Sequence, residues 1–503
     1  MSGAAKKLFS FGKSRGRRAK AEPQKTVLGY KQFSSHRRMS LVFLFVWLVL
    51  IAFGLMMMFS ASYGISFVQS SSAMRAQWRQ SGALDPSSPV GVILEADATK
   101  LARKQALYTV VSAAAAIAFA MLVPFRQLTR PSFRWIIYVV ITFALLYTIV
   151  AGQSFNGAKR WLTIAGITFQ PSELAKIGSI FFLASYFSDR RKARLREDAV
   201  ARASHADSRT GRAKRPSLMK QAFKEVAWPG LLMFIWIGMI VVQPHLSGAI
   251  ILASICLVVF FFAQMPLKIR LAGFTQLLVI VLIICIAAGF VFQAVTQRSP
   301  VAFVSERFAH ASRRLDTFQN RDAVSEDDRM QIEQAEIALG SGGLTGKGLG
   351  KSVQKLNWLS EAHNDFILSV IGEELGFLGV VAVIVIFIVF LVAGLYIAKR
   401  AATHMAMLVA AGYTFMIVWQ AFLNMAVAAS LIPATGISLP FFSYGGTANI
   451  FFSLAAGLVL CVSKSGTKQN RELARILDSA RYNKDVNMDD SDLEDDDAMG
   501  YAV

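Results

Sequence analysis

The chain has 503 residues, 54% of them hydrophobic and only 17% charged, with a mean hydropathy of +0.46. A soluble chain of this length would divide into domains with polar surfaces, so this balance points to a membrane protein with many spans. The net charge of +21 would suit a nucleic-acid partner, but the lysines and arginines cluster beside apolar runs, as contact with an anionic membrane surface requires, and this argues against nucleic acid.

Residues 1–39 are basic and read as a disordered cytoplasmic tail (KSRGRRAK, SSHRR). The first apolar run starts near Ser40 without a cleavage pattern, so it is expected to remain as a signal anchor. Ten segments have the length and hydrophobicity of spans: 40–60, 105–123, 134–152, 172–188, 228–244, 247–264, 271–296, 366–395, 405–430 and 447–463. The expected fold class is therefore all-α: a polytopic membrane protein of about ten transmembrane helices, with both termini cytoplasmic. Lys/Arg-rich loops alternate as the positive-inside rule requires, with 189–227 the main cytoplasmic loop. Segment 61–104 reads as an outer polar insertion, and 297–365, between spans 7 and 8, as the large extracytoplasmic loop. The tail 464–503 is basic, then acidic. Cys256, Cys285 and Cys461 all lie in apolar runs with no metal or disulfide spacing.

Ionisable groups kept at a membrane boundary are functional candidates, because hydrocarbon penalises charge. On the outer side, Lys159, Arg160 and Trp161 form a cationic, aromatic lip suited to a phosphate-bearing headgroup. Glu173 stands in the first turn of the fourth span, where capping explains it equally well. His245 lies in the tight turn between spans five and six. The densest stretch is 340–379, a glycine-rich loop with Lys347, Lys351 and Lys355, the knot Glu361-Ala362-His363-Asn364-Asp365, and an apolar helix carrying Glu373 and Glu374. The loop fails both nucleotide-binding glycine patterns, so no nucleotide cofactor is expected; Lys351 and Lys355 read instead as headgroup and pyrophosphate contacts. Asp365 is either the cap of the following helix or a general base at the boundary. Glu373 and Glu374 read as structural or supporting acids. A last outer turn, 433–446, holds two prolines and paired glycines, which implies broken helix around a cavity.

The segments FNGAKRWL, QPSELAK, QPHLSG, ALGSGGLTGKGLGKSVQKL, EAHNDFILSVIGEELGFLG and PATGISLPFFSYGG resemble those of the SEDS proteins, the FtsW, RodA and SpoVE type; the long tails and the insertion 61–104, outside the shared pattern, lean towards an FtsW-like rather than a RodA-like member. The resemblance implies a multi-pass bacterial inner-membrane peptidoglycan glycosyltransferase. Its substrate would be lipid II, polymerised on the outer face, and its partner a class B penicillin-binding protein. Other division or elongation proteins would meet the cytoplasmic tails. The family's essential acid falls on Asp365. Glu361, His363 and Ser443 are added as substrate contacts, with Glu173, Glu373, Glu374 and His245 supporting. A divalent cation (Mg or Mn) is left open. Many members carry an acid at His245, and some division members a lysine at Thr435. A lipid II flippase and a non-catalytic scaffold are the rival readings.

Overall fold

Lipid offers no hydrogen bonds to the backbone, so each apolar run must close its own, and a helix is the result. The computed structural model describes residues 39–81, 97–155, 158–164, 167–206, 217–297, 299, 302, 326–356, 358, 359, 361–433, 436–445 and 447–464. Among these the helices longer than a single turn are α1 (Leu41–Ser81), α2 (Lys100–Leu122), α3 (Pro131–Ala151), α4 (Pro171–Ala206), α5 (Leu218–Val242), α6 (Leu246–Phe262), α7 (Leu267–Thr296), α8 (Glu326–Ser341), α9 (Ile367–Lys399), α10 (His404–Ala428) and α11 (Thr447–Lys464). Each of the ten expected spans falls on one of them. Eight are long and apolar enough to cross a membrane; α6 is apolar but has 17 residues, and α4 is charged in its second half. The chain is a helical, polytopic membrane protein.

Several boundaries differ from the sequence expectation. Helix α1 continues beyond residue 60 to Ser81, so the segment expected to be a polar insertion begins as helix. Ser70 and Ser71 donate to their own helix, to the Phe67 and Val68 carbonyls, and Ser66 Oγ reaches the Asp97 carbonyl at 3.0 Å, tying this extension to the approach to α2. Helix α4 runs on into the expected loop 189–227, where Arg194 pairs with the buried Glu225 of α5 and Asp189 pairs with Arg134 of α3 at 2.6 Å. Helix α5 starts ten residues early and contains a π-helical turn, Phe223–Ala227. The large loop 297–365 contains α8. The all-α reading also misses a small antiparallel sheet, β1 (Gln153–Phe155), β2 (Ala158–Ile164) and β3 (Ile167–Phe169), in the order β1-β2-β3. Asn156-Gly157, a strong hairpin signal, separates the first two strands in sequence, and Thr163 bridges to Gln153 and Thr168 through its hydroxyl.

Helices in lipid associate by close packing rather than by a hydrophobic force. At Gly54 of α1 a Cβ would come 2.2 Å from the Phe441 carbonyl oxygen, and at Gly394 of α9 a Cβ would meet Thr414 of α10 at 2.2 Å. The core between them is aromatic: Phe43, Trp47, Phe387, Phe390, Phe441, Phe442 and Phe452 are fully buried. The Ser40 amide donates to Ser463 Oγ at 3.2 Å, so α1 begins and α11 ends on the same side of the bundle, as an even number of crossings produces. From that side, Gly376 stands about 34 Å along α9 from Lys399, and Asn424 about 30 Å along α10 from His404, at 1.5 Å per residue. Both heights match the roughly 30 Å hydrocarbon thickness, which sets the polar residues described next at one membrane edge.

Candidate active site

The first polar unit is built around a break in α9. Gly376 has φ +67°, and the helix is not continuous there. The freed carbonyls of Glu373 and Glu374 accept from the Lys347 and Gly348 amides at 3.0 and 2.9 Å, and the Phe377 and Leu378 amides donate to the Gly343 and Leu344 carbonyls at 2.9 and 3.1 Å. The glycine-rich loop therefore replaces the missing turn. Its glycines answer to close approach: a Cβ on Gly342 would lie 1.9 Å from the Gly372 carbonyl oxygen, and one on Gly346 2.1 Å from that of Glu374.

The two acids at the break are completely buried. Glu373 accepts from Lys347 Nζ at 2.7 Å, from the Val353 and Gln354 amides, and from the Ser352 hydroxyl. Glu374 accepts from Lys355 Nζ at 2.6 Å, from Ser60 Oγ at 2.7 Å and from the Ser352 amide. Lys355 completes its three bonds on Ser60 Oγ and the Gly350 carbonyl, both at 2.8 Å. The loop's amides are thus turned to this protein's own carboxylates and carbonyls. The expectation that Lys355 and the loop backbone contact a substrate headgroup is corrected here, because Lys355 is buried with every N–H engaged. Lys351 does face outward, exposed beside Gly348.

The second unit is the knot. Glu361, with φ +58°, accepts from the Asn364 and Phe366 amides and closes a tight turn. Three neighbours pin it. Asn424 of α10 donates from one Nδ2 to the Asp365 carbonyl at 2.9 Å and to that of Ile437 at 2.6 Å. The Ser443 hydroxyl donates to the Asn364 carbonyl at 2.6 Å and accepts from the Leu439 amide at 2.7 Å. The Tyr444 amide donates to the His363 carbonyl at 2.8 Å. Ser443, expected to touch substrate, is buried and acts as a brace. His363 is buried too; desolvation holds its imidazole below the usual range, against the pull of Glu361. Asp365 is half-buried, and its Oδ2 faces Gly436, where a Cβ would find it 3.6 Å away.

The third unit lies at the start of α4. Lys176, buried, pairs with Glu173 at 2.7 Å and donates to Gln420 of α10 at 2.7 Å. Gln420 and Asn424 are one turn apart on the same helix face, so α10 connects this pair to the knot. His245 Nδ1 lies 3.2 Å from both Gln170 Nε2 and Ser172 Oγ, and Arg160 of β2 donates to the Pro244 carbonyl. Trp161 is half-buried on the same strand, whose Lys159 pairs in register with Ser154; the Lys159 side chain lies outside the described residues.

Residues 86–468 match the family model of the FtsW, RodA and SpoVE cell cycle proteins. The chain belongs to the FtsW/RodA/SpoVE family. It is 28% identical over 373 residues to a Bacillus subtilis protein named "Probable peptidoglycan glycosyltransferase FtsW", covering 73% of this chain and 83% of that one. A protein of the same name from Thiomicrospira cyclica is 31% identical over 346 residues, covering 68% and 77%. Among solved structures, a variant of the rod shape determining protein RodA from Thermus thermophilus aligns with TM-score 0.50 at 22% identity, over 84% of this chain and 96% of that chain. A chain from a peptidoglycan synthase complex aligns with TM-score 0.51 at 23% identity, over 80% and 98%.

The structure brings the family motif residues Glu361, His363, Asp365 and Ser443 together, and connects Glu173 to them through Lys176, Gln420 and Asn424. Glu373, Glu374 and Lys355 form a separate brace. Thr435 lies outside the described residues, as do the tails 1–38 and 465–503. Gln420, Asn424 and Lys176 were not singled out in the sequence, although polar side chains inside apolar spans were the available signal. Among the described residues no group of three or more His, Cys, Asp and Glu side chains could hold a metal ion.

Proposed function

We propose that Asp365 is the general base of a peptidoglycan glycosyltransferase that polymerises lipid II on the outer face of the bacterial cytoplasmic membrane. The observation that carries this is the contrast in burial among the acids: Glu373 and Glu374 are sealed in a brace, whereas Asp365 stands half-buried at the membrane edge with its carboxylate facing Gly436. In the reaction, Asp365 takes the proton from the 4-hydroxyl of the acceptor sugar as that oxygen bonds to the anomeric carbon of the donor glycan. The bond to undecaprenyl pyrophosphate breaks, and its developing charge is met by cations of the outer face, Lys351, Arg160 and Lys159. The chain's relatives are named as peptidoglycan glycosyltransferases, and one fold neighbour belongs to a complex described as coordinating polymerization and crosslinking, which supports a penicillin-binding protein of class B as partner.

The test is lipid II polymerisation by full-length protein in proteoliposomes with its partner. Asp365→Asn keeps the shape and removes the basicity, and is expected to lower the rate by about 10²–10⁴-fold. Wild-type rate in that variant would refute the assignment.

A further inference from the structure

We propose that the Glu374–Lys355 ion pair, closed by the Ser60 hydroxyl, is a positioning device for Asp365. The inference rests on Asp365 being the base and adds residues that touch no substrate. Lys355 stands ten residues before Asp365 and has no freedom: its three N–H groups are fixed on Glu374, Ser60 and the Gly350 carbonyl. Helix α1 also presses on its backbone, since a Cβ on Gly64 would lie 3.2 Å from the Lys355 carbonyl oxygen. Short turns carry this anchor forward. The Leu356 amide bonds to Val353, that of Leu359 to Gln354, and those of Asn364 and Phe366 to Glu361. The knot is thus held by α10 through Asn424, by the last turn through Ser443, and by α1 and α9 through Lys355.

A pair this deeply buried contributes little net stability, because desolvation offsets the attraction, but it fixes one register of the chain where an apolar contact would permit several. Without it Asp365 keeps its ties to α10 and the last turn, and the approach segment keeps its Glu373 bonds at Ser352, Val353 and Gln354, but the anchor of Lys355 on Glu374 and on Ser60 of α1 is lost. Displacement of a catalytic group by about 1 Å can lower a rate by about 10²-fold.

The discriminating variant is the double substitution Glu374→Gln with Lys355→Met. It removes both charges together, and the new amide oxygen can still accept from Ser60 and the Ser352 amide. The full chain is measured in proteoliposomes with its partner. The double variant is expected to match wild type in folded yield and thermal midpoint, with kcat lowered about 10- to 100-fold and KM for lipid II unchanged. Lys355→Met alone, which leaves Glu374 unpaired, is expected to lose folded protein as well. Wild-type kcat in the double variant, or a kcat loss that only mirrors loss of folded protein, overturns the proposal. Asp365→Asn run in parallel separates the two readings. If it is inactive while the double variant is fully active, only positioning fails; if Asp365→Asn itself is fully active, the base assignment fails and the positioning role falls with it.

Discussion

The helix break at Gly376 gives the sharpest test of how this site is built. Gly376→Ala adds one methyl group to a backbone at φ +67° and ψ −166°, a region essentially reserved for glycine that costs a residue with a Cβ about 1–3 kcal/mol. The methyl would also lie 2.4 Å from the Gly346 nitrogen and 2.5 Å from the Leu344 carbonyl oxygen, both backbone atoms, so the loop has to lift. Four hydrogen bonds of 2.9–3.1 Å join loop and helix there. Losing half of them at about 1 kcal/mol each brings the total to roughly 3–5 kcal/mol. The assay is thermal denaturation in nanodiscs followed by tryptophan fluorescence, with an expected fall of about 3–5 °C in midpoint. Gly340→Ala is the control: its Cβ meets nothing within 4 Å and its effect should stay within about 0.5 kcal/mol. Equal midpoints for the two variants would refute the reasoning that the glycine loop completes a broken helix.

Asn424→Leu removes the donor shared by the Asp365 and Ile437 carbonyls; two orphaned buried acceptors are expected to destabilise by about 2–4 kcal/mol, and lipid II polymerisation per folded molecule should fall with the knot's alignment. Unchanged midpoint and rate would remove Asn424 from the site. The buried His363 has its folded-state pKa held below the unfolded value, so the folded protein binds fewer protons than the unfolded one. Stability is therefore expected to be full above the unfolded histidine pKa and to decline as pH falls below it. His363→Gln should flatten that part of the midpoint-against-pH curve, and an identical curve in the variant would contradict the assignment.

The spans were legible because lipid makes hydrophobic length nearly sufficient to specify a helix, and all ten expected segments are helical. What lay beyond the lipid was not. The extensions of α1 and α4 are polar, so their length is set by ties such as Ser66 to Asp97 and Arg194 to Glu225, between residues far apart in sequence. In the site, Asp365 and its knot were visible as charge at a membrane edge. The glycine loop was visible too, but its role was not. A Gly/Lys loop reads locally as an anion cradle, and only the break at Gly376, far downstream of the loop's start, turns its amides toward Glu373 and Glu374. Ser443 was likewise recognised as belonging to the site but not as a brace, because its partner is the backbone of Asn364.

The packing beneath the knot bears on whether this chain carries lipid II across the membrane or elongates glycan at its surface. A carrier needs a binding site near the midplane, between parts that open alternately to either side. Here Ser443, which holds the knot, follows directly on Phe441 and Phe442, and these rings turn inward. Phe441 meets Trp47, Phe390 and Phe452 at centroid distances of 6.0–6.4 Å, and Phe442 meets Phe53 and Phe387 at 5.4 and 6.2 Å. Phe390 continues the stack toward the opposite side, onto Phe43 at 4.6 Å. Interiors packed this closely are not continuously deformable, and opening a polar path past Asp365 would separate five of these rings from their neighbours. The same aromatic floor suits a surface enzyme, since it fixes the last turn, and through Ser443 the knot. If liposome-reconstituted protein moved lipid II between leaflets at a rate unaffected by Asp365→Asn, this aromatic floor would have to open, and the surface-enzyme reading would give way to the carrier.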